Sequence, residues 1–283
     1  MPERRSEPID IGGAFAWEPP PLDFVVPGFL AGTVGVLTAP GGSGKSFFAL
    51  QLCVSVACEA EGGNLLGLDI SRHGPTLYLA AEDPELVLWH RLFALGGFLS
   101  PEAREAVKTQ MTVQSLVGAG LNLGNPRHLA RLHEVCARGL RLAVIDTLSR
   151  CHRVEENNNE QMAELLNGLE RVAVETGSGI LLVHHTGKGE GMGDPALAAR
   201  GASALVHNAR WCGFLAKPNR SEIEQGRDAA RHVKFGVSKQ NYGPPLPEQW
   251  YERKDGGVLR PVPVQPETAP PETATGRTSR KRF

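Results

Sequence analysis

Apolar residues along the chain follow two rhythms. Short, nearly unbroken apolar runs at 34–38, 76–80, 112–114, 142–146, 180–184, 209–215 and 232–237 have the character of strands buried on both faces. Between them, 45–60, 84–95, 126–138 and 159–176 repeat their apolar positions near the 3.6-residue period of a helix. Strand and helix alternating at this spacing predict an α/β fold, a mostly parallel twisted sheet flanked by helices. The last strands follow one another without a convincing helix, so an antiparallel C-terminal extension is expected. The chain changes character at both ends. An arm at 1–21 closes on Pro19-Pro20-Pro21, and 261–283 holds five prolines, several threonines and a basic end at Arg277, Arg280, Lys281 and Arg282. That Pro/Thr-rich tail is expected to be disordered.

Charge and cysteine content narrow the possibilities. In 283 residues, 30 Lys and Arg stand against 31 Asp and Glu, a net charge of −1. A protein that coats duplex DNA by charge alone carries a clear basic excess, so any nucleic-acid role has to rest on local sites. The tail is net basic, which leaves the folded body more acidic than the chain as a whole. No window approaches the ~18 uninterrupted apolar residues of a membrane helix, and the charged start lacks the apolar segment of a signal peptide. A soluble, cytoplasmic protein without a membrane partner is expected. The five cysteines lack C-x-x-C spacing and are odd in number, so free thiols are expected rather than a disulfide framework or a zinc site.

The most specific chemistry begins at residue 34. The apolar run Val34-Gly35-Val36-Leu37-Thr38 leads into Ala39-Pro40-Gly41-Gly42-Ser43-Gly44-Lys45-Ser46, and Phe47 opens an apolar helix. Strand, glycine-rich loop and helix in that order make a phosphate-binding loop. The glycines let successive backbone N–H groups face one anion, and the helix N-terminus adds its dipole. Lys45 would reach the β- and γ-phosphates, and the Ser46 hydroxyl is an oxygen ligand of the kind Mg²⁺ prefers. The strict pattern opens with Gly where this chain has Ala39, a residue small enough to be tolerated. ATP and Mg²⁺ are the expected cofactors.

Three further strand ends carry polar groups. The run 142–146 closes on Asp146, placed to hold Mg²⁺ through water. The run 76–80 leads through Ala81 to Glu82 and Asp83. Glu82 is read as the general base that orients the attacking water, and Asp83 as the N-cap of a helix starting at Pro84. The run 180–183 leads to His184-His185, which face opposite sides of a strand and so do not converge on one metal. A neutral histidine donating to the γ-phosphate is the better reading, for either of the two.

With these residues placed, the chain resembles the RecA-like ring ATPases, and within them the RepA-type hexameric replicative helicases of IncQ-like plasmids, from about residue 19 to 260. The resemblance is carried by Pro-Pro-Leu-Asp at 20–23, Ala-Gly-Thr-Val-Gly at 31–35, the phosphate loop, Ala-Glu-Asp-Pro at 81–84 and His-His at 184–185. It continues in Asn-Ala-Arg-Trp at 208–211, Phe-Gly-Val-Ser-Lys at 235–239 and Asp-Gly-Gly-Val-Leu at 255–259. It implies a RecA-like ATPase domain at 22–260 and a homo-hexamer with nucleotide between subunits. Lys45, Ser46, Glu82, Asp146 and a sensor histidine, for which His185 aligns better, would lie on one side of that nucleotide. Arg210 falls at the position of the arginine finger, supplied by the neighbour.

The resemblance further implies an ATP-dependent helicase of plasmid replication that translocates on single-stranded DNA, with a plasmid primase and an origin-binding initiator as partners. Candidate DNA contacts are Lys188 and Arg200 in a glycine-rich segment, and Arg150 and Arg153 after the Asp146 strand. Neither segment holds an aromatic residue, so contact with the phosphate backbone is expected rather than base stacking. Solvated loop charges are an equal reading for each. Two rivals remain: a RecA-like ATPase serving as loader or recombination mediator without unwinding, and a regulatory ATP-binding module. A base, a sensor and a finger in register argue for turnover over the last of these.

Overall fold

The computed structural model describes residues 8–154, 158–185 and 203–263. A short helix, α1 (Ile11–Ala16), precedes a hairpin of β1 (Phe24–Val26) and β2 (Phe29–Leu30). Then come β3 (Val34–Ala39), α2 (Lys45–Ala57), β4 (Thr76–Ala80), α3 (Glu85–Gly96), α4 (Pro101–Gln110), β5 (Met111–Ser115) and α5 (Pro126–Cys136). After them follow β6 (Leu142–Asp146), α6 (Asn159–Thr176), β7 (Gly179–His185), β8 (Trp211–Ala216), β9 (His232–Gln240), β10 (Gln249–Arg253) and β11 (Leu259–Pro261).

Nine of these strands form one sheet in the order β11-β10-β9-β8-β3-β7-β6-β4-β5. From β8 to β5 every pairing is parallel, and β9, β10 and β11 extend the β8 edge antiparallel. This is the α/β architecture that the alternating pattern predicts, including its antiparallel C-terminal part. Side-chain alternation divides the interior into two cores. Leu37, Tyr78, Val144, Leu181 and Val183 face α2 and the C-terminal strands, while Val36, Leu79, Ile145, Ile180 and Leu182 face α5 and α6. Strands buried on both sides have no polar face, which is why they read as continuous apolar runs.

Helix α2 is apolar on nearly every side because it is enclosed by the sheet and the C-terminal extension. Its buried Gln51 is satisfied there: the amide donates to the Leu259 carbonyl at 2.8 Å and accepts from the Leu259 N–H at 2.8 Å. At the N-terminal edge of the sheet, the buried Arg141 guanidinium donates to both Asp23 carboxylate oxygens, at 2.7 and 2.6 Å, and to the Phe24 carbonyl at 2.6 Å. This fork ties the β1–β2 hairpin to β6.

Local differences from the sequence expectation have identifiable causes. Helix α2 stops at Ala57, short of residue 60, where Cys58 turns to extended backbone. The sequence expectation omits helix α4, whose apolar residues are few, although Ala103, Ala106 and Val107 fall at i, i+3, i+4 and pack on the core. Its cap is regular: Ser100 accepts from the Ala103 N–H at 3.1 Å and Pro101 opens the helix. All five cysteines are free and buried. Burial pushes their thiols up, to about 11 for Cys136 and about 12 for Cys151 and Cys212. No helix among the described residues is long and apolar enough to cross a membrane.

Candidate active site

Parallel pairing brings the polar ends of four strands to one edge. Ala39 registers with His185, Ala80 with Asp146, and Asp146 with Val183. The last residues of β3, β7, β6 and β4 therefore open on a common line, the edge where a sheet of this kind takes its ligand.

Residues 40–44 turn from β3 into α2. Gly42 (φ 71°) and Gly44 (φ 95°) occupy the left-handed region, where any other L-residue costs roughly 1–2 kcal/mol. The Ser43 hydroxyl closes the turn on the Pro40 carbonyl at 2.7 Å. Lys45 begins α2 with a buried side chain, and its Nζ lies 2.9 Å from His185 Nδ1. Burial holds the Lys45 ammonium below its ordinary pKa, against the opposing pull of the Asp146 and Glu82 charges.

Strand alternation turns Leu181, Val183 and His185 toward α2, so His185 rather than His184 faces Lys45. The other ring nitrogen of His185 lies 3.6 Å from Glu82 Oε2. Glu82, His185 and Lys45 thus form a continuous polar chain from base to phosphate loop. Thr147 Oγ1 donates to Glu82 Oε1 at 3.1 Å, which leaves Thr147 to accept from Ser149 at 3.0 Å. Burial would raise the Glu82 carboxyl, but the Thr147 hydroxyl, His185 and Lys45 outweigh it and hold the group below the usual glutamate value. Glu82 is an anion at neutral pH, as a proton acceptor must be.

Asp146 lies deeper and is 3% exposed. The Tyr78 hydroxyl donates to its Oδ2 at 2.5 Å, whereas its Oδ1 is buried with no hydrogen-bond partner among the described residues. Burial raises this carboxyl, opposed by the Tyr78 and Ser46 hydroxyls and by the Lys45 charge. A buried carboxylate oxygen without a partner among the described residues, on a group whose charged form the Ser46 hydroxyl also favours, is a donor set suited to a hard cation. The peptide bond from Asp146 to Thr147 is cis.

The other candidate residues divide by location. Arg210 is exposed and stands just before β8, its N–H 3.4 Å from the Val34 carbonyl at the start of β3. It is therefore on the edge opposite the phosphate loop, separated from Ala39 by about 16 Å at 3.3 Å per residue. Arg150 sits against the site with Nε 3.6 Å from Glu82 Oε1, and Arg153 is exposed. Lys188 and Arg200 lie outside the described residues, as does the tail from residue 264. Asp83 does not cap α3. Pro84 occupies the N-cap position without a side-chain bond, and Asp83 instead grips Arg91 at 2.5 and 3.0 Å, a two-point ion pair that a cap bond cannot match.

Three contributors were missed in the sequence. Thr147 follows Asp146 directly, and its place at a strand end was the available signal. Tyr78 faces Asp146 only through the β4–β6 register. Arg253, at the end of β10, reaches the phosphate loop from more than two hundred residues away, and no local pattern marks it. A family model described as an AAA domain matches residues 2–191, which takes in the phosphate loop, Glu82, Asp146 and His185.

Proposed function

Because the chain belongs to the AAA domain family of P-loop ATPases, which has RecA- and DnaB-like members, we propose that it is an ATP-driven motor on single-stranded DNA, a replicative helicase of the RepA type that works as a homo-hexameric ring. The observation that carries this reading is the Glu82–His185–Lys45 chain at the ligand edge. A module that merely holds nucleotide needs the loop alone, whereas this chain joins an anionic base to the phosphate-binding lysine through a group able to respond to the γ-phosphate.

Each residue then has a task. The N–H groups of 41–46 and the Lys45 ammonium hold the phosphates. Ser46 and Asp146 are the residues that would hold Mg²⁺, which when bound neutralises charge developing on the phosphate oxygens. Glu82, fixed by Thr147, orients the attacking water and takes its proton. His185 is in contact with both Lys45 and Glu82, so a change at the γ-phosphate alters the base.

Arg210 has no route to this site within its own chain. In a ring it meets the nucleotide of the next subunit and supplies planar positive charge there. Two surfaces support self-association. Helix α3 buries Leu88 and Leu95 but exposes Leu86, Trp89 and Phe93 to between 66% and 84% on its outer side. Helix α1 buries none of its residues, and Ile11, Phe15 and the adjoining Trp17 are exposed. Apolar patches of this kind mark interaction sites.

The deciding experiment is ATP hydrolysis with and without single-stranded DNA, together with displacement of a strand from a tailed duplex. The proposal expects DNA-stimulated hydrolysis and ATP-dependent displacement. Hydrolysis that ignores DNA, with no displacement, overturns it. Stimulation without displacement selects the loader or mediator.

A further inference from the structure

The C-terminal extension sends one charged side chain into the phosphate loop. Arg253, the last residue of β10, donates from Nη2 to the Ser43 carbonyl, and the same nitrogen lies 3.5 Å from the Gly42 carbonyl. Its guanidinium packs so closely on Gly44 that a Cβ there would meet Nη1 at 2.9 Å. The side chain is half-buried, and burial holds its pKa below the ordinary arginine value. Among the described residues no carboxylate pairs with it. Glu252 beside it is taken by Arg231 and Lys254. A half-buried cation without a counter-charge therefore rests against the loop that receives phosphate.

In such a loop the N–H groups converge on the anion and the carbonyls point outward. A donor that holds the Ser43 carbonyl from outside keeps the Ser43–Gly44 peptide turned with its N–H inward. We propose that Arg253 is a positioning residue for nucleotide: it braces the back of the phosphate loop, so that the N–H cradle is formed before ATP arrives, and adds positive potential without touching the ligand. The antiparallel extension thereby sets the nucleotide affinity of a loop at the other end of the chain. This inference rests on the loop's being a nucleotide site.

The test uses the full-length chain. Equilibrium binding of a fluorescent ATP analogue with Mg²⁺ and steady-state hydrolysis are measured for the wild type, Arg253→Met, Arg253→Lys and Lys45→Ala. Arg253→Met should raise both the analogue Kd and the KM about tenfold while kcat stays within about threefold, because a preformed cradle acts on ground-state binding. Arg253→Lys keeps the charge and should recover part of that loss, and added guanidinium ion should move the KM of Arg253→Met toward the wild-type value. An unchanged Kd in Arg253→Met, with a lower urea midpoint, means that Arg253 only fastens β10, and overturns the inference. A fall in kcat at constant KM overturns it as well. If Arg253→Met does not fold, Arg253→Lys decides, with a Kd equal to wild type counting against. A wild type that binds no nucleotide sinks the underlying reading instead. Wild-type binding that is lost in Lys45→Ala but kept in Arg253→Met sinks only this one.

Discussion

Glu82 is held by three neighbours of different kinds: the Thr147 hydroxyl, the His185 ring and the Arg150 guanidinium. Replacing it with glutamine keeps the shape and removes the base. Glu82→Gln should bind nucleotide as the wild type does and lose about a hundredfold or more in kcat, checked by binding and turnover assays side by side. Asp23 offers a stability test away from the site. The hydrogen bond from Arg141 comes first among the causes that hold its carboxyl below the usual aspartate value. A depressed carboxylate contributes stability above its unfolded pKa and loses it as pH falls through the folded one. Asp23→Asn should therefore cost about 2 kcal/mol in urea unfolding at pH 7, at the low end for a pair with one buried partner because Asp23 is partly exposed. The deficit should shrink below about pH 4, as the wild type loses the same charge. Lys45, Glu82 and Asp146 are legible in the sequence because each stands at or just beyond the end of a recognisable strand or loop. Arg253 and Tyr78 are not, since only tertiary register brings them in.

Helix α3 illustrates what periodicity conveys about an element and what it withholds. Its apolar residues gave the helix correctly, yet Leu88 and Leu95 turn inward while Leu86, Trp89 and Phe93 turn outward. A single sequence does not distinguish a face that meets the core from one that meets another subunit. If the outer face meets a second copy, Trp89→Glu with Phe93→Glu should lower the native mass in solution and leave the thermal midpoint of the isolated chain nearly unchanged. Native mass spectrometry and a thermal melt read the two halves of that expectation, and an unaltered oligomer refutes it. Helix α4 is the opposite case, an element with clear ends and a faint interior. Its start is marked by Ser100-Pro101, but its core-facing stripe is only Ala103, Ala106 and Val107, too short to stand out along the chain. The cap should be worth about 1 kcal/mol, so Ser100→Ala should lower the urea unfolding free energy by that amount.

Across the whole molecule, the phosphate loop and Arg210 stand at opposite edges of the same strands. One chain therefore carries two half-sites and no complete one on the ring reading. Lys45→Ala should bind nucleotide poorly, and Arg210→Ala should bind it and hydrolyse little. Mixed, the two inactive proteins should regain measurable ATPase, because some interfaces then pair an intact Lys45 with an intact Arg210. Verified mixed assemblies without any regained activity would rule out a finger supplied across subunits. The layered sheet was legible from apolar rhythm, whereas this division between edges emerges only from the β3–β8 pairing. The enclosed cysteines open a way to watch such an assembly. All five thiols are shut away and held largely protonated near neutral pH, so maleimide reagents have little to attack. A cysteine introduced at an exposed position away from α1 and α3, such as Val174, becomes the fast-reacting thiol. A dye can then report distances between neighbouring chains without a cysteine-free background having to be engineered first.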